Sequence, residues 1–253
     1  MKAVKHISFF YIENRLQYVN NIIAATNKYE LETDLFIHTN VETLSSASFL
    51  QYTNGELRII YHDLSNINPF YLTWKCRELL KIQRSEYDIF MYVEDDILVP
   101  YKAIEYWLKY NEKLLEYNYN LGFVRIEVGS DHEEYITDLC GEFDKIDRFI
   151  DIGAEKYGIN NKNPYCAFWI YNKKEFNRFV ESEYYNIQNI PGYYIRESSA
   201  IGLHGNSNYW YKHTLIPIIE DKLIEDCKIY HMSNNYVSDN SNSFATVKFT
   251  EAL

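Results

Sequence analysis

The sequence predicts an α/β fold built on a largely parallel sheet, and three observations carry that reading. Apolar runs alternate with helix-period stretches through roughly the first 120 residues. The runs are continuous rather than alternately apolar and polar, as strands covered on both faces require. The 253 residues are 47% hydrophobic and 24% charged, enough apolar material for a sizeable core, so one domain is expected across 1–253.

Taken in order, "HISFFYI" (6–12) reads as a first strand. Asn14 stands at the head of a helix that aligns Leu16, Val19, Ile22 and Ile23 on one face. "DLFIH" (34–38) and "ELRIIYH" (56–62) read as further strands. "NPFYLTWKCRELLKIQRS" (68–85) carries a proline near its first turn and a stripe of Leu72, Cys76, Leu79 and Leu80, the pattern of a helix. "YDIFMYV" (87–93) is a strand and 101–117 a helix. The second half is less regular. Strands are expected at 121–128, 164–171, 214–219 and 227–231, and helices at 172–185 and 196–203, with a charged, looping segment over 129–163. The expected division is a ligand-binding half to about 120, a second half over 121–231, and a polar tail over 232–253 with little apolar surface to bury.

Charge and composition exclude several classes of function. A net charge of −11 argues against a nucleic-acid binder or a polybasic membrane anchor. No run approaches the length of a membrane span. Four widely spaced cysteines read as reduced structural thiols, which implies a cytoplasmic setting. The 25 tyrosines suggest stacking surfaces for sugars or bases, although Tyr, Asn, Ile and Lys are all favoured by an AT-rich genome.

One stretch raises a chemical question. In "YDIFMYVEDDILVP" (87–100) an apolar strand runs directly into Glu94, Asp95 and Asp96. Adjacent carboxylates repel, and burying them is costly unless something positive is close by. In α/β sheets ligands sit beyond the carboxyl ends of the strands, where this triplet falls. An oxygen-rich site of this kind suits Mn²⁺ or Mg²⁺, which can bridge a substrate diphosphate. Alternation along an extended chain would turn Glu94 and Asp96 to one ligand and Asp95 away. The plainer alternative is a turn whose acids complement the start of the helix near Tyr101.

These pieces together resemble a GT-A glycosyltransferase. An apolar strand ends in a D-x-D-like triplet; "NPFYLTWKCRELL" resembles the helix that supplies a basic residue to the nucleotide-sugar; "IRESSAIGL" resembles the acidic helix that carries the base in inverting members; and "CKIYHMSNNY" resembles the last strand and loop, whose histidine completes the metal site. The similarity spans about 5–235, with Glu in place of the triplet's first Asp and Arg-Glu-Ser in place of the base motif. It implies a GT-A-like (Rossmann-like) sheet flanked by helices, a nucleotide-sugar donor, most simply UDP-linked, and a carbohydrate acceptor. It implies a metal held by Asp96, Glu94 and His231, with Asp95 beside the donor, and Glu197 as the catalytic base. Phe10, Tyr11, Thr39 and Asn40 would frame the nucleotide base, and Arg77, with Lys75 as alternate, would approach the diphosphate. His204, His213 and Trp210 flank or occupy a loop that could close over an acceptor.

The residues leave other readings open. Arg77 could form an intrahelical pair, Glu197 could merely complement its helix end, and Trp210 could plug the core. A nucleotidyltransferase would need a Gly-rich basic loop after the first strand, and "FFYIENRLQ" contains no glycine. A catalytically silent carbohydrate-binding protein is the remaining alternative.

Overall fold

The computed structural model describes residues 1–10, 13–141, 144–186, 195–201, 214–239 and 241–253. They form two compact units, Met1–Tyr101 with Ala167–Gly202 and Lys102–Cys166 with Leu203–Leu253. In chain order the first segment carries β1 (Ala3–Phe9), α1 (Leu16–Thr26), β2 (Thr33–Thr39), β3 (Leu57–Tyr61), α2 (Leu72–Gln83), β4 (Ile89–Glu94) and β5 (Ile97–Leu98). Then come α3 (Tyr101–Leu115), β6 (Asn120–Leu121), β7 (Val124–Val128), β8 (Glu134–Ile136), β9 (Phe149–Ile152) and β10 (Glu155–Asn160). β11 (Phe168–Asn172), α4 (Lys173–Glu181) and α5 (Ile195–Ile201) return to the first unit. β12 (Thr214–Ile219), β13 (Lys222–Leu223), β14 (Lys228–His231) and β15 (Val247–Lys248) complete the second.

The chain is α/β, but its sheets are mixed rather than largely parallel. In the first unit the order is β11-β4-β1-β2-β3, with β4, β1, β2 and β3 parallel and β11 antiparallel on β4. Helices α1 and α2 supply the long crossovers that parallel neighbours need. In the second unit β9, β10, β12 and β13 are antiparallel, with β6 parallel to β12. A further set runs β15-β8-β7-β14, parallel only between β7 and β14. Two-residue connections explain the β9–β10 and β12–β13 pairs, since chains so short can only turn back. Gly153, at φ +65°, opens the turn from β9 to β10, and Glu220 and Asp221, at +51° and +56°, form the turn from β12 to β13.

Register sets the faces of the first sheet. His6 lies beside Phe36 and Tyr92, and Ser8 beside His38 and Glu94, so all of these share one face. The same face gathers a dense aromatic layer. Phe90 stacks on Phe176 of α4 at 4.1 Å, and Trp169 contacts Tyr171 and Phe179. Each such ring, fully buried, stabilises the fold by about 2–3 kcal/mol. Helix α4 starts where its sequence directs: Asn172 Oδ1 accepts from the Glu175 N–H, and Glu175 Oε2 accepts from the Asn172 N–H. The opposite face carries Lys5, buried among Thr26 and Tyr29, whose oxygens its ammonium reaches at 3.0 and 2.7 Å.

The expected strand over 121–128 is two strands, β6 and β7, interrupted at Gly122. A Cβ there would meet side-chain atoms of Ile216 and Thr214 at 2.8 Å, so glycine leaves room for those side chains. The segment read as looping, 129–163, contains β8, β9 and β10. The polar tail also gains structure. β15 pairs with β8, Ile146 N–H donates to the Ala252 carbonyl, and Val247, Phe249 and Ala252 are buried. All four cysteines carry free thiols. Among the described residues no helix is long and apolar enough to cross a membrane.

Candidate functional site

The first unit has one place where its strand order turns back on itself. From β1 the chain lays down β2 and then β3 on one side, and returns to the other side of β1 as β4. Such a switch leaves a crevice outside the carboxyl ends of the two strands on either side of it. β1 ends at Phe9 and β4 ends at Glu94. The acidic triplet therefore stands at the switch point, and all three carboxylates are buried.

Their charge is met by two arginines. Arg15, in the short turn between β1 and α1, reaches Asp95 Oδ1 at 2.9 Å with the same nitrogen that contacts Asp96 Oδ2. The Phe10 N–H donates to Asp95 Oδ2 at 3.2 Å. Arg196, at the start of α5, places Nε 3.5 Å from Glu94 Oε2 and Nη2 3.8 Å from Glu197 Oε1. Burial, reinforced by the Asp96 charge, still pushes the Asp95 carboxyl well above the usual range, against the pull of Arg15. The expected alternation fails because the strand stops at Glu94. Asp95 and Asp96 begin a turn and converge on Arg15, while Glu94 stays on the strand face that α5 covers.

Beside this cluster lies a cleft of about 470 Å³ lined by Asn68, Phe70, Ile195, Arg196 and Glu197. Asn68 caps the turn that leads into α2, its Oδ1 accepting from the Phe70 N–H at 3.0 Å. This holds the Phe70 ring, 48% exposed, 5.8 Å from the Arg196 guanidinium. Trp74 Nε1 donates to the Ile195 carbonyl at 2.7 Å and fixes α5 against α2. Glu197 thus sits in the first turn of α5, half-exposed, on a wall tied down from below.

Other expected site residues take different places. Arg77 is buried; its guanidinium donates to the carbonyls of Tyr184, Tyr185 and Ser199 at 3.1, 2.6 and 3.0 Å and lies 3.9 Å over the Trp74 ring. These partners make it a tie between α2, α5 and the segment after α4, in place of the expected approach to a diphosphate. Thr39 is buried at the end of β2, its hydroxyl accepting from the Val41 N–H at 3.3 Å, while Asn40 is exposed. Phe10 meets the Phe70 ring edge-on at 6.1 Å. Tyr11, His204, Trp210 and His213 lie outside the described residues.

His231 belongs to the second unit. Its Nδ1 lies 2.5 Å from Glu127 Oε1, and Glu127 Oε2 accepts from the N–H groups of Tyr236 and Val237 at 3.0 and 2.6 Å. Those bonds hold the Glu127 carboxyl low against its burial. Ser233 Oγ lies 2.8 Å from Nε2 but also 3.5 Å from Nδ1. An oxygen so close to both nitrogens is off the Nε2 lone-pair axis, so Ser233, His231 and Glu127 do not form a nucleophile–base relay.

Among the described residues no group of three or more His, Cys, Asp or Glu side chains is arranged to hold a metal ion. The donor chemistry at Glu94, Asp95 and Asp96 nonetheless fits Mn²⁺ or Mg²⁺, being all oxygen. That Asp95 and Asp96 both reach one guanidinium nitrogen shows that they converge on one cationic centre.

No protein-family model matches this chain, and no curated protein matches it. The site is therefore read from its own chemistry. Sequence reasoning missed Arg15 and Arg196 as the counter-charges. The signal for Arg15 was its place in the loop after the first strand, next to the crevice; Arg196 directly precedes Glu197.

Proposed function

We propose that the chain is a metal-dependent glycosyltransferase with a GT-A-like donor site. It moves a sugar from a nucleoside-diphosphate donor, most simply a UDP-sugar, to a hydroxyl of a glycan or glycolipid, with inversion. The observation that carries this reading is the buried Glu94-Asp95-Asp96 cluster at the topological switch point, flanked by Arg15 and Arg196 and opening beside the Glu197 cleft. A cation bound there would supply Lewis-acid neutralisation of the departing diphosphate. Asp95 and Asp96 would hold it, with Glu94 adjoining. Within the second unit His231 pairs through Nδ1 with Glu127, the carboxylate–imidazole arrangement that orients metal-binding histidines.

The protein's own groups do the rest. Arg15 and Arg196 set positive charge where negative charge grows as the glycosidic bond breaks. Phe10, with Asn40 after the end of β2, borders the nucleoside. Phe70 offers a ring face to a sugar. Glu197 takes the proton of the attacking hydroxyl, which leaves the oxygen free to bond the anomeric carbon as the diphosphate departs. A cytoplasmic location and the absence of nucleic-acid partners belong to the same reading.

A thermal-shift screen of nucleotide-sugars with and without Mn²⁺ tests it, since a ligand that binds only the native state raises Tm. One UDP-sugar should raise Tm with Mn²⁺ present, and Mn²⁺-dependent donor hydrolysis should follow. A shift without hydrolysis would favour the silent carbohydrate-binding alternative. No shift with any nucleotide-sugar would overturn the reading.

A further inference from the structure

A second feature of the first unit lies apart from the carboxylates. Gln83 Oε1 lies 3.0 Å from His6 Nε2, His6 Nδ1 lies 2.7 Å from His38 Nε2, and His38 Nδ1 lies 2.8 Å from His62 Nε2. The ring centres are 5.0 and 5.1 Å apart, which equals each N···N distance plus two ring radii. The imidazoles therefore meet end to end rather than face to face, with 28° between the planes of His6 and His38 and 9° between those of His38 and His62. Parallel register explains the line: His6 on β1 and His38 on β2 share a sheet face, and His62 follows the end of β3 on the same side. The line climbs from the core toward the carboxyl edge of the sheet. His6 and His38 are wholly buried and His62 is half-buried.

Chemistry gives this line a direction. An amide oxygen only accepts, so His6 carries its proton on Nε2 and presents a bare Nδ1. That nitrogen demands a proton on His38 Nε2, and His38 Nδ1 in turn demands one on His62 Nε2. All three rings are then neutral Nε2–H tautomers, and His62 Nδ1 is the open end. A proton added at His62 leaves every bond intact. Moved inward, it can keep every bond if the tautomers behind it reverse, but it then leaves the charge on a wholly buried ring, and none of the groups that act on His6 or His38 is an acid.

We propose that Gln83, His6, His38 and His62 form an acid-sensitive lock on the first sheet, with His62 as its one proton-entry site. The lock holds only while its two inner rings are neutral. The charged neighbours are few: Lys75 and Glu78 of α2 act on His62 in opposite senses, and Arg58 of β3 lies over the Phe36 ring on which His6 stacks. The groups that act on His38 are the two flanking imidazoles. Burial lowers His6 to about 3 and His38 well below its ordinary value, and it lowers His62 as well. The sign follows. Histidines of the unfolded chain gain protons below about pH 6.5 and the folded inner pair does not, so stability is full above that pH and falls as pH drops.

Two experiments on the full chain test the lock. Long-range ¹H–¹⁵N spectra of the imidazoles between pH 8 and 5 should show His6 and His38 as fixed Nε2–H tautomers, with only His62 titrating. An Nδ1–H tautomer at either inner ring, or reversible titration of either near pH 6.5 in the folded protein, would overturn the proposal. Denaturant unfolding should show an unfolding constant that rises roughly hundredfold per pH unit below about 6, tenfold for each inner ring. Gln83→Glu gives a protonated His6 a partner and should cut that slope at least tenfold. Equal slopes in the two folded proteins would contradict it, and the spectra decide alone if the variant does not fold.

Discussion

At Arg77 the guanidinium is enclosed by Trp74, Phe179 and Tyr185 and spends its donors on three carbonyl oxygens. Burial alone lowers its pKa, but no acid is needed to hold it because the carbonyl dipoles do so. Removing the side chain would strand buried acceptors, so Arg77→Met should destabilise the protein by about 3 kcal/mol or more in denaturant unfolding. Its folded fraction should bind nucleoside diphosphate as the wild type does. Glu197 calls for the opposite result. Glu197→Gln preserves shape and removes basicity, so transfer should fall roughly a hundredfold or more while donor binding and Tm stay unchanged. A product that kept the donor's anomeric configuration would refute the base role. The carboxylates and Glu197 could be picked out as candidates in the sequence because they stand in short motifs. The partners were not. Arg15 meets Asp96 across 81 residues, and nothing local distinguishes Arg77, which the fold buries, from an arginine that faces a ligand.

Among the elements, β1 to β4 could be read because each has an apolar centre, and β1, β2 and β4 are buried along their whole length. β8, β9 and β10 could not. "EYI", "FIDI" and "EKYGIN" mix charge into short strands whose outer faces meet water, and their pairing rests on hairpin turns. β15 was hidden for a related reason, since its two residues gain a role only by pairing with β8. The turn from β12 to β13 offers a direct check on this. Glu220 and Asp221 both adopt positive φ, which neither residue favours. Replacing the pair with Asn-Gly should raise stability by about 1 kcal/mol in chemical denaturation, the gain expected when turn residues match a type I′ geometry. No gain would mean that surrounding contacts, not the turn residues, set this conformation.

On the scale of the whole molecule, the expected parallel sheet is present in the first unit as β4-β1-β2-β3, with β11 closing one edge antiparallel. The second unit is mostly antiparallel, and the chain enters it twice, at Lys102 and at Leu203. A sequence division near residue 120 could not show that 167–202, which carries Arg196 and Glu197, belongs with the carboxylates of β4. That return brings α5 to the switch point and gives the first unit a complete set of charges. The central claim is that this set binds a nucleoside diphosphate through a divalent cation. Isothermal titration of UDP into the wild-type protein and into Asp96→Asn, each with and without Mn²⁺, tests it most directly. The account predicts saturable binding by the wild type only with Mn²⁺, and a loss of at least tenfold in affinity in the folded variant. Binding of equal strength without the cation and in Asp96→Asn, or no binding of UDP under any condition, would contradict it.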